Sequence, residues 1–298
     1  MSVKQLEDSV IISLPDNPDT YIKVLRYGAH ILSWKINGEE QLWLSAGAKL
    51  DGSAAVRGGI PLAFPVFGGS AAEGFNKLPH HGFARISTWD FLGLTSSNPP
   101  IAQFALTPDE AEPVSYGKWE NGDNNFRAFV NYELGADYLT TSVAIENIDT
   151  KPFDFHWLFH TYLRTPDIED TLVTNLPGEV CYDQVVKEEY EDKAPAVQFH
   201  QETDRVYKKV DESKDIQVVY CGKANHTLKR VNLPDVVVWN PWIEKSKNIG
   251  DFAPKDDYKH MVCVEPGYAS EFVTLKPQGV WKASQTLTYG KDIKIQAV

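Results

Sequence analysis

Two short stretches hold the side chains best suited to moving protons. In Phe153-Asp154-Phe155-His156-Trp157-Leu158-Phe159-His160-Thr161-Tyr162-Leu163-Arg164, the odd positions Phe153, Phe155, Trp157, Phe159 and Leu163 are apolar. Asp154, His156, His160, Tyr162 and Arg164 fall among the even ones. Such alternation belongs to a strand with one face in a core. Its other face, rich in hydrogen-bonding groups, reads as the floor of a cleft; an ordinary solvent-facing polar face is the competing reading. The second stretch, Met261-Val262-Cys263-Val264-Glu265-Pro266-Gly267, puts a carboxylate at the end of an apolar β-branched run, before an expected Pro-Gly turn. Burying that charge is costly unless a partner meets it, so Glu265 reads as functional rather than as an exposed turn residue. Cys263 shares its face by alternation and reads as a small hydrophobe, not a nucleophile. A histidine and a carboxylate that can trade protons near neutrality offer general acid–base chemistry.

A third cluster is basic. Arg57-Gly58-Gly59-Ile60-Pro61 opens an apolar run ending at Gly68, and Leu78-Pro79-His80-His81-Gly82-Phe83-Ala84-Arg85 follows. Arg57 and Arg85, flanked by glycine and near a His pair, could fork onto a phosphate, with the glycines letting backbone N–H groups approach. Surface arginine beside glycine is the plain alternative. No P-loop, GxGxxG turn or GxSxG elbow occurs. A metal on His156, His160 and Glu265 is disfavoured. On a strand those histidines stand ~13 Å apart, whereas ligands to one ion want i, i+2 spacing.

The elements that must hold these residues are strands. Period-two runs are expected over 10–14, 21–27, 31–36, 126–134, 140–146, 153–164, 217–220, 236–239, 261–265, 272–275 and 284–289. Asn37-Gly38 marks a type I′ hairpin, with 41–44 returning. Amphipathic helical patterns of any length are hard to find, as are repeats and interdomain linkers. Three excursions stand out. Residues 68–81 are small and read as mobile, 183–194 are polar and read as surface, and 248–259 are charged. The expectation is an all-β sandwich or barrel, formed as one domain over residues 1–298.

Composition narrows the partners. Lys+Arg number 29 and Asp+Glu 41, a net −12. That disfavours nucleic acid and anionic membrane. A small anion must then be held by a local basic cluster against the global field. The 8 Trp, 13 Tyr and 14 Phe suit pleated surfaces and, secondarily, stacking on a ring-shaped ligand. Three cysteines without a CxxC pair suggest neither zinc nor disulfides. The N-terminus lacks a signal-peptide pattern and no run is long enough to span a membrane, so a cytoplasmic location is expected. The sequon Asn225-His226-Thr227 is then idle.

Taken in order, Arg57-Gly58-Gly59-Ile60-Pro61, His81-Gly82-Phe83-Ala84-Arg85, Phe159-His160-Thr161-Tyr162, Trp239-Asn240-Pro241-Trp242 and Val262-Cys263-Val264-Glu265-Pro266-Gly267 resemble the glucose-6-phosphate 1-epimerases of the aldose 1-epimerase superfamily. The motifs cover most of the chain. The resemblance implies a galactose mutarotase-like antiparallel β-supersandwich with few short helices. It implies His160 and Glu265 as the catalytic pair, Arg57 and Arg85 as phosphate contacts, and His81, His80 and Asp204 as sugar-cleft residues. His80 departs from the Gln expected there in fungal relatives. The implied reaction interconverts the anomers of a hexose 6-phosphate, with Glu265 as base, protonated His160 as acid, and no metal or organic cofactor. Glu265 and the acidic chain would favour the imidazolium. A monomer acting on a small molecule is expected. The alternatives are an aldose 1-epimerase acting on unphosphorylated hexoses and a sugar-phosphate-binding module without turnover.

Overall fold

The computed structural model describes residues 2–120, 122–176 and 178–293. Among these residues antiparallel strands dominate. The helices are short: Pro113–Tyr116 and Trp242–Asn248, with 3₁₀ turns at Ala84–Ile86 and Asp257–His260. A five-stranded sheet begins the chain and runs in sequence order from Val3–Gln5 to Glu39–Glu40. Its last turn is at Asn37 and Gly38, whose φ values of 51° and 82° are those a type I′ hairpin needs. The return strand is only Glu39–Glu40. Residues 41–44, expected to continue it, instead bridge away: Leu42 to Leu163 and Leu44 to Gly58. That departure carries the chain from the first sheet toward the site.

A nine-stranded sheet is ordered Val197–Gln198, Thr171–Thr174, Ile216–Tyr220, Lys223–Val231, Val280–Ile293, Tyr138–Asn147, Phe126–Leu134, Pro100–Leu106 and Asp90–Ser97. The third sheet bears on function. Its order is Glu188–Glu191, Val180–Asp183, Thr203–Tyr207, Asp235–Asn240, Met261–Leu275, Phe153–Phe159 and Leu62–Ala63, with Tyr162–Arg164 also paired to Met261–Leu275. Residues 261–265 and 272–275 are thus parts of one strand, and Pro266-Gly267 does not turn. Pro266 lies in an interval where the 153–164 side has no register partner, so its missing N–H falls in an already irregular stretch. Gly267 is needed because a Cβ there would stand 2.8 Å from the Trp157 carbonyl oxygen.

The expected strand over 153–164 is broken in two. A bulge between Phe155 and Trp157 shifts the register. At His160 the ladder stops: the His160 N–H donates to Pro61 O at 2.9 Å and the Tyr162 N–H to Gly59 O at 2.9 Å.

One hydrophobic cluster draws residues from all three sheets. It absorbs most of the aromatic excess. Phe64 alone packs on Phe83, Trp119, Phe126, Phe155 and Trp157 at centroid distances of 5.4–5.9 Å. Edge-to-face and tilted pairs at these distances suit aromatic quadrupoles. The excursion over 68–81, expected to be mobile, is pinned by buried Phe75, whose ring packs on Phe272 at 4.4 Å. The excursion over 183–194 is only partly a surface feature. Asp183 and Asp192 are buried, and Arg205 bridges both at 3.3 Å.

Candidate active site

Register within the third sheet builds one wall of the site. Asp204 is paired with Trp239, Trp239 with Cys263, and Cys263 with Tyr162. Directly opposed residues share a face in an antiparallel sheet, so these four form a row across four strands. Two residues along, Glu265 pairs with Val237 on the same face. The break after Phe159 then brings His160 over this row. Its ring stacks on Tyr162 at 4.7 Å and 6°, and its Nδ1 stands 3.1 Å from Glu265 Oε1. Neither Nδ1 nor Glu265 Oε2 has an aligned hydrogen-bond partner. The pair is in contact and still free to engage a third group.

The opposite wall comes from the first half of the chain. Arg57, Phe67, Gly68, His80, His81 and Arg85 face His160, Glu265, Asp204, Gln184, Trp239 and Lys245 around a cavity of about 280 Å³. Every residue singled out from sequence as catalytic or substrate-binding lines it. His156 does not. The bulge before Trp157 turns it away, its ring stacks on Phe272 at 4.0 Å, and its Nδ1 accepts from the Phe67 N–H at 3.2 Å. His81 Nδ1 accepts from the Gly68 N–H at 3.0 Å, which leaves Nε2 as the protonated nitrogen. Its ring meets His160 edge-on at 5.3 Å.

The two arginines are held differently. Arg57 is fixed on both sides: Nε pairs with Asp251 at 3.2 Å and Nη1 donates to the Tyr162 hydroxyl at 3.2 Å. Arg85 donates from Nη2 to the His80 carbonyl at 2.6 Å. It has no carboxylate partner among the described residues, and its Nε is buried without one. Burial, with Arg57 nearby, pulls its pKa down to about 10. The guanidinium remains charged and lacks an anion. The flanking glycines serve packing. The Gly59 N–H is spent on the Trp43 carbonyl at 2.7 Å, and a Cβ on Gly58 would stand 2.5 Å from that same oxygen. They exist so that two backbone segments can touch.

Burial reverses the expected charge on the acid–base pair. Desolvation, then Arg57 and Arg85, hold His160 well below its ordinary value. Desolvation and Asp204 push Glu265 well above its own, while the Cys263 thiol, donating to the carboxylate, pulls the other way. The net −12 of the chain does not reach this pocket. Neutral His with protonated Glu, and imidazolium with carboxylate, contain the same number of protons. The pair therefore behaves as one unit sharing a single proton, and both shifts favour Glu265 as its holder. Burial and the neighbouring carboxylate also raise Cys263 well above the usual thiol range, which keeps the thiol protonated beside Glu265. Burial raises Asp204 to about 6, and Gln184 Nε2 donates to its Oδ1 at 2.6 Å.

Sequence reasoning missed Gln184, Lys245 and Asp251. It named Trp239 as part of a motif without giving it a place in the site. The Trp-Asn-Pro-Trp motif carried a usable signal. Asn240 Nδ2 donates to Tyr258 O and Met261 O at 2.8 and 2.9 Å, and its Oδ1 accepts from the Trp242 N–H at 2.8 Å. Those bonds aim the helix Trp242–Asn248, which presents Lys245 to the cavity.

The family described as aldose 1-epimerase matches residues 11–288. A protein of Cenchrus ciliaris named "Putative glucose-6-phosphate 1-epimerase" is 33% identical over 279 residues, covering 89% of this chain and 80% of its own length. A protein of the same name from Escherichia coli K12 is 32% identical, with 89% and 85% covered. The crystal structure of a "putative mutarotase" from Salmonella typhimurium superposes with a TM-score of 0.80 at 28% identity, covering 97% of this chain and 93% of the other. The galactose mutarotase related enzyme of Lactobacillus acidophilus shares the fold at 15% identity and a TM-score of 0.71, with 99% of each chain covered. This chain belongs to the aldose 1-epimerase family and has its galactose mutarotase-like all-β fold.

Proposed function

We propose that this epimerase is a hexose-6-phosphate mutarotase, interconverting the α and β anomers of glucose 6-phosphate and related esters. One observation carries the phosphate. Half-buried, charged Arg85 has no carboxylate partner among the described residues and lines the same cavity as Arg57, His160 and Glu265. A dianion supplies the missing counter-charge through charge-assisted hydrogen bonds.

In the reactive microstate the shared proton is on His160 and Glu265 is a carboxylate. Glu265 takes the proton of the C1 hydroxyl, and the electrons of that O–H bond form the C1=O bond. The C1–O5 bond breaks, its electrons go to O5, and imidazolium protonates O5. The open chain then faces neutral His160 and protonated Glu265, the arrangement that burial favours. Rotation about C1–C2 presents the other face of the carbonyl, and the same transfers in reverse close the ring on the opposite anomer. No proton need be drawn from solvent. Asp204 and Gln184 hold ring hydroxyls, His81 donates from Nε2, and Trp239 and Phe67 pack on the sugar's apolar face.

Arg85→Gln tests the phosphate assignment. A charge-assisted hydrogen bond contributes about 1.5–3 kcal/mol. The preference in kcat/KM for glucose 6-phosphate over free glucose should therefore fall by about 10–100-fold. An unchanged ratio would point to an epimerase of unphosphorylated hexoses.

A further inference from the structure

We propose that the arginine pair is also an anion switch: a dianion seated on Arg57 and Arg85 moves the shared proton from Glu265 to His160 and so turns ring opening on. The inference rests on the phosphate reading above and extends it. Selectivity for the phosphate ester would then lie in the chemical step as well as in binding.

The geometry links both cations to the same imidazole. Arg57 donates to the Tyr162 hydroxyl at 3.2 Å, and the Tyr162 ring lies flat on His160 at 4.7 Å. Arg85 holds the His80 carbonyl at 2.6 Å, the His80 ring touches His81 at 4.0 Å, and His81 meets His160 at 5.3 Å. Glu265 meets the His160 ring and the Cys263 thiol, and Asp204 acts on it as a like charge. The groups facing the pair are thus positive around His160 (Arg57, Arg85, and His80 when protonated) and negative around Glu265 (Asp204, offset in part by Lys245 from the helix Trp242–Asn248). Both arrangements drive the proton off His160 and onto Glu265. Asp251 offsets Arg57 only in part, since it bonds to Nε alone.

That field is adverse to ring opening, which starts from imidazolium and carboxylate. In a pocket where Glu265 is 1% exposed, solvent screens it poorly. A phosphate dianion has two charges, enough to cancel both guanidinium groups. The depression of His160 by Arg57 and Arg85 is then relieved, while the Asp204 effect on Glu265 is untouched. Because the imidazolium microstate is the minor one, each unit regained in His160 proton affinity is worth about tenfold in its population.

The test separates the anion from the sugar. Free glucose is the substrate and sulfate the probe, because sulfate stays dianionic at neutral pH and is a poor general base. Ionic strength is held with chloride, the rate without protein is subtracted at each sulfate concentration, and sulfate binding is followed by calorimetry. Protein-catalysed α/β exchange of glucose should rise about tenfold at saturating sulfate. The His160 imidazole resonance should titrate at higher pH with sulfate than with chloride. Both effects should disappear in Arg85→Gln. If sulfate binds and the glucose rate stays flat or falls, the switch is wrong, while preferential turnover of glucose 6-phosphate would leave the function reading standing. Full activation in Arg85→Gln would overturn the route through the arginines. Failure of sulfate to bind would overturn the switch, while the Arg85→Gln comparison of phosphorylated and free sugar decides the phosphate reading separately.

Discussion

Glu265→Gln is expected to slow anomer exchange by about 10²–10⁴-fold, the usual contribution of one general acid or base, while the protein stays folded. Stability should survive because of the resting charge state. Glu265 is buried, and burial and Asp204 favour its protonated form. Glutamine matches that form in shape and charge, so the substitution leaves no unpaired charge behind. It removes only the ability to accept the C1 hydroxyl proton. His160→Gln should be comparably slow, for loss of the acid that protonates O5. His160→Ala is the harsher variant, since it also strips the stacking partner from Tyr162. The check pairs an exchange rate with a melting curve. A normal Tm with a collapsed rate is the expected pattern, and near wild-type exchange in Glu265→Gln would end the acid–base assignment.

Gly59→Ala is expected to cost at least about 4 kcal/mol, the range reserved for gross backbone conflict or core disruption. Gly59 has φ +64°, and a Cβ there would stand 2.1 Å from the Ile31 carbonyl oxygen and 2.6 Å from His30 Nε2. The carbonyl belongs to a strand and cannot retreat. The His30 ring is buried and bonded to Gly58 O at 2.8 Å. Gly68 is the control. It has the same φ of +64°, yet nothing lies within 4 Å of its would-be Cβ. Gly68→Ala should cost only the left-handed penalty of about 1–2 kcal/mol. The difference in Tm between the two variants isolates the steric conflict, and equal losses would contradict it. The consequence reaches function. Gly59 O accepts the Tyr162 N–H, and Arg57 lies two residues back. The glycines that looked like phosphate ligands place Arg57 and Tyr162 by letting two chain segments touch.

Much of the strand content was legible because period-two alternation survives wherever one face packs on a core. Phe126–Leu134 was read with both ends correct. Two irregularities were not legible, and both lie at the site. The break at His160 exists because the chain trades its ladder for bonds to Pro61 and Gly59, about a hundred residues earlier in sequence. Pro266-Gly267 looked like a turn, but it follows the geometry of the neighbouring strands, and local propensity yields to that. The chemistry divides in the same way. His160, Glu265 and the two arginines stand in motifs, whereas the Asp251 that fixes Arg57 lies 194 residues away. Net charge pointed to the imidazolium, but proximity and burial, not the overall sum, decide the potential at a buried pair.

Opening and reclosure of a phosphorylated hexose ring is the property on which everything above depends. Two-dimensional exchange NMR on an equilibrium mixture of glucose 6-phosphate anomers measures that directly, without a coupling enzyme or net reaction. Exchange cross-peaks between the α and β anomeric protons should grow with protein concentration, at levels where free glucose and galactose gain little. Equal acceleration of phosphorylated and free sugars, or none for the phosphate ester, would contradict the account.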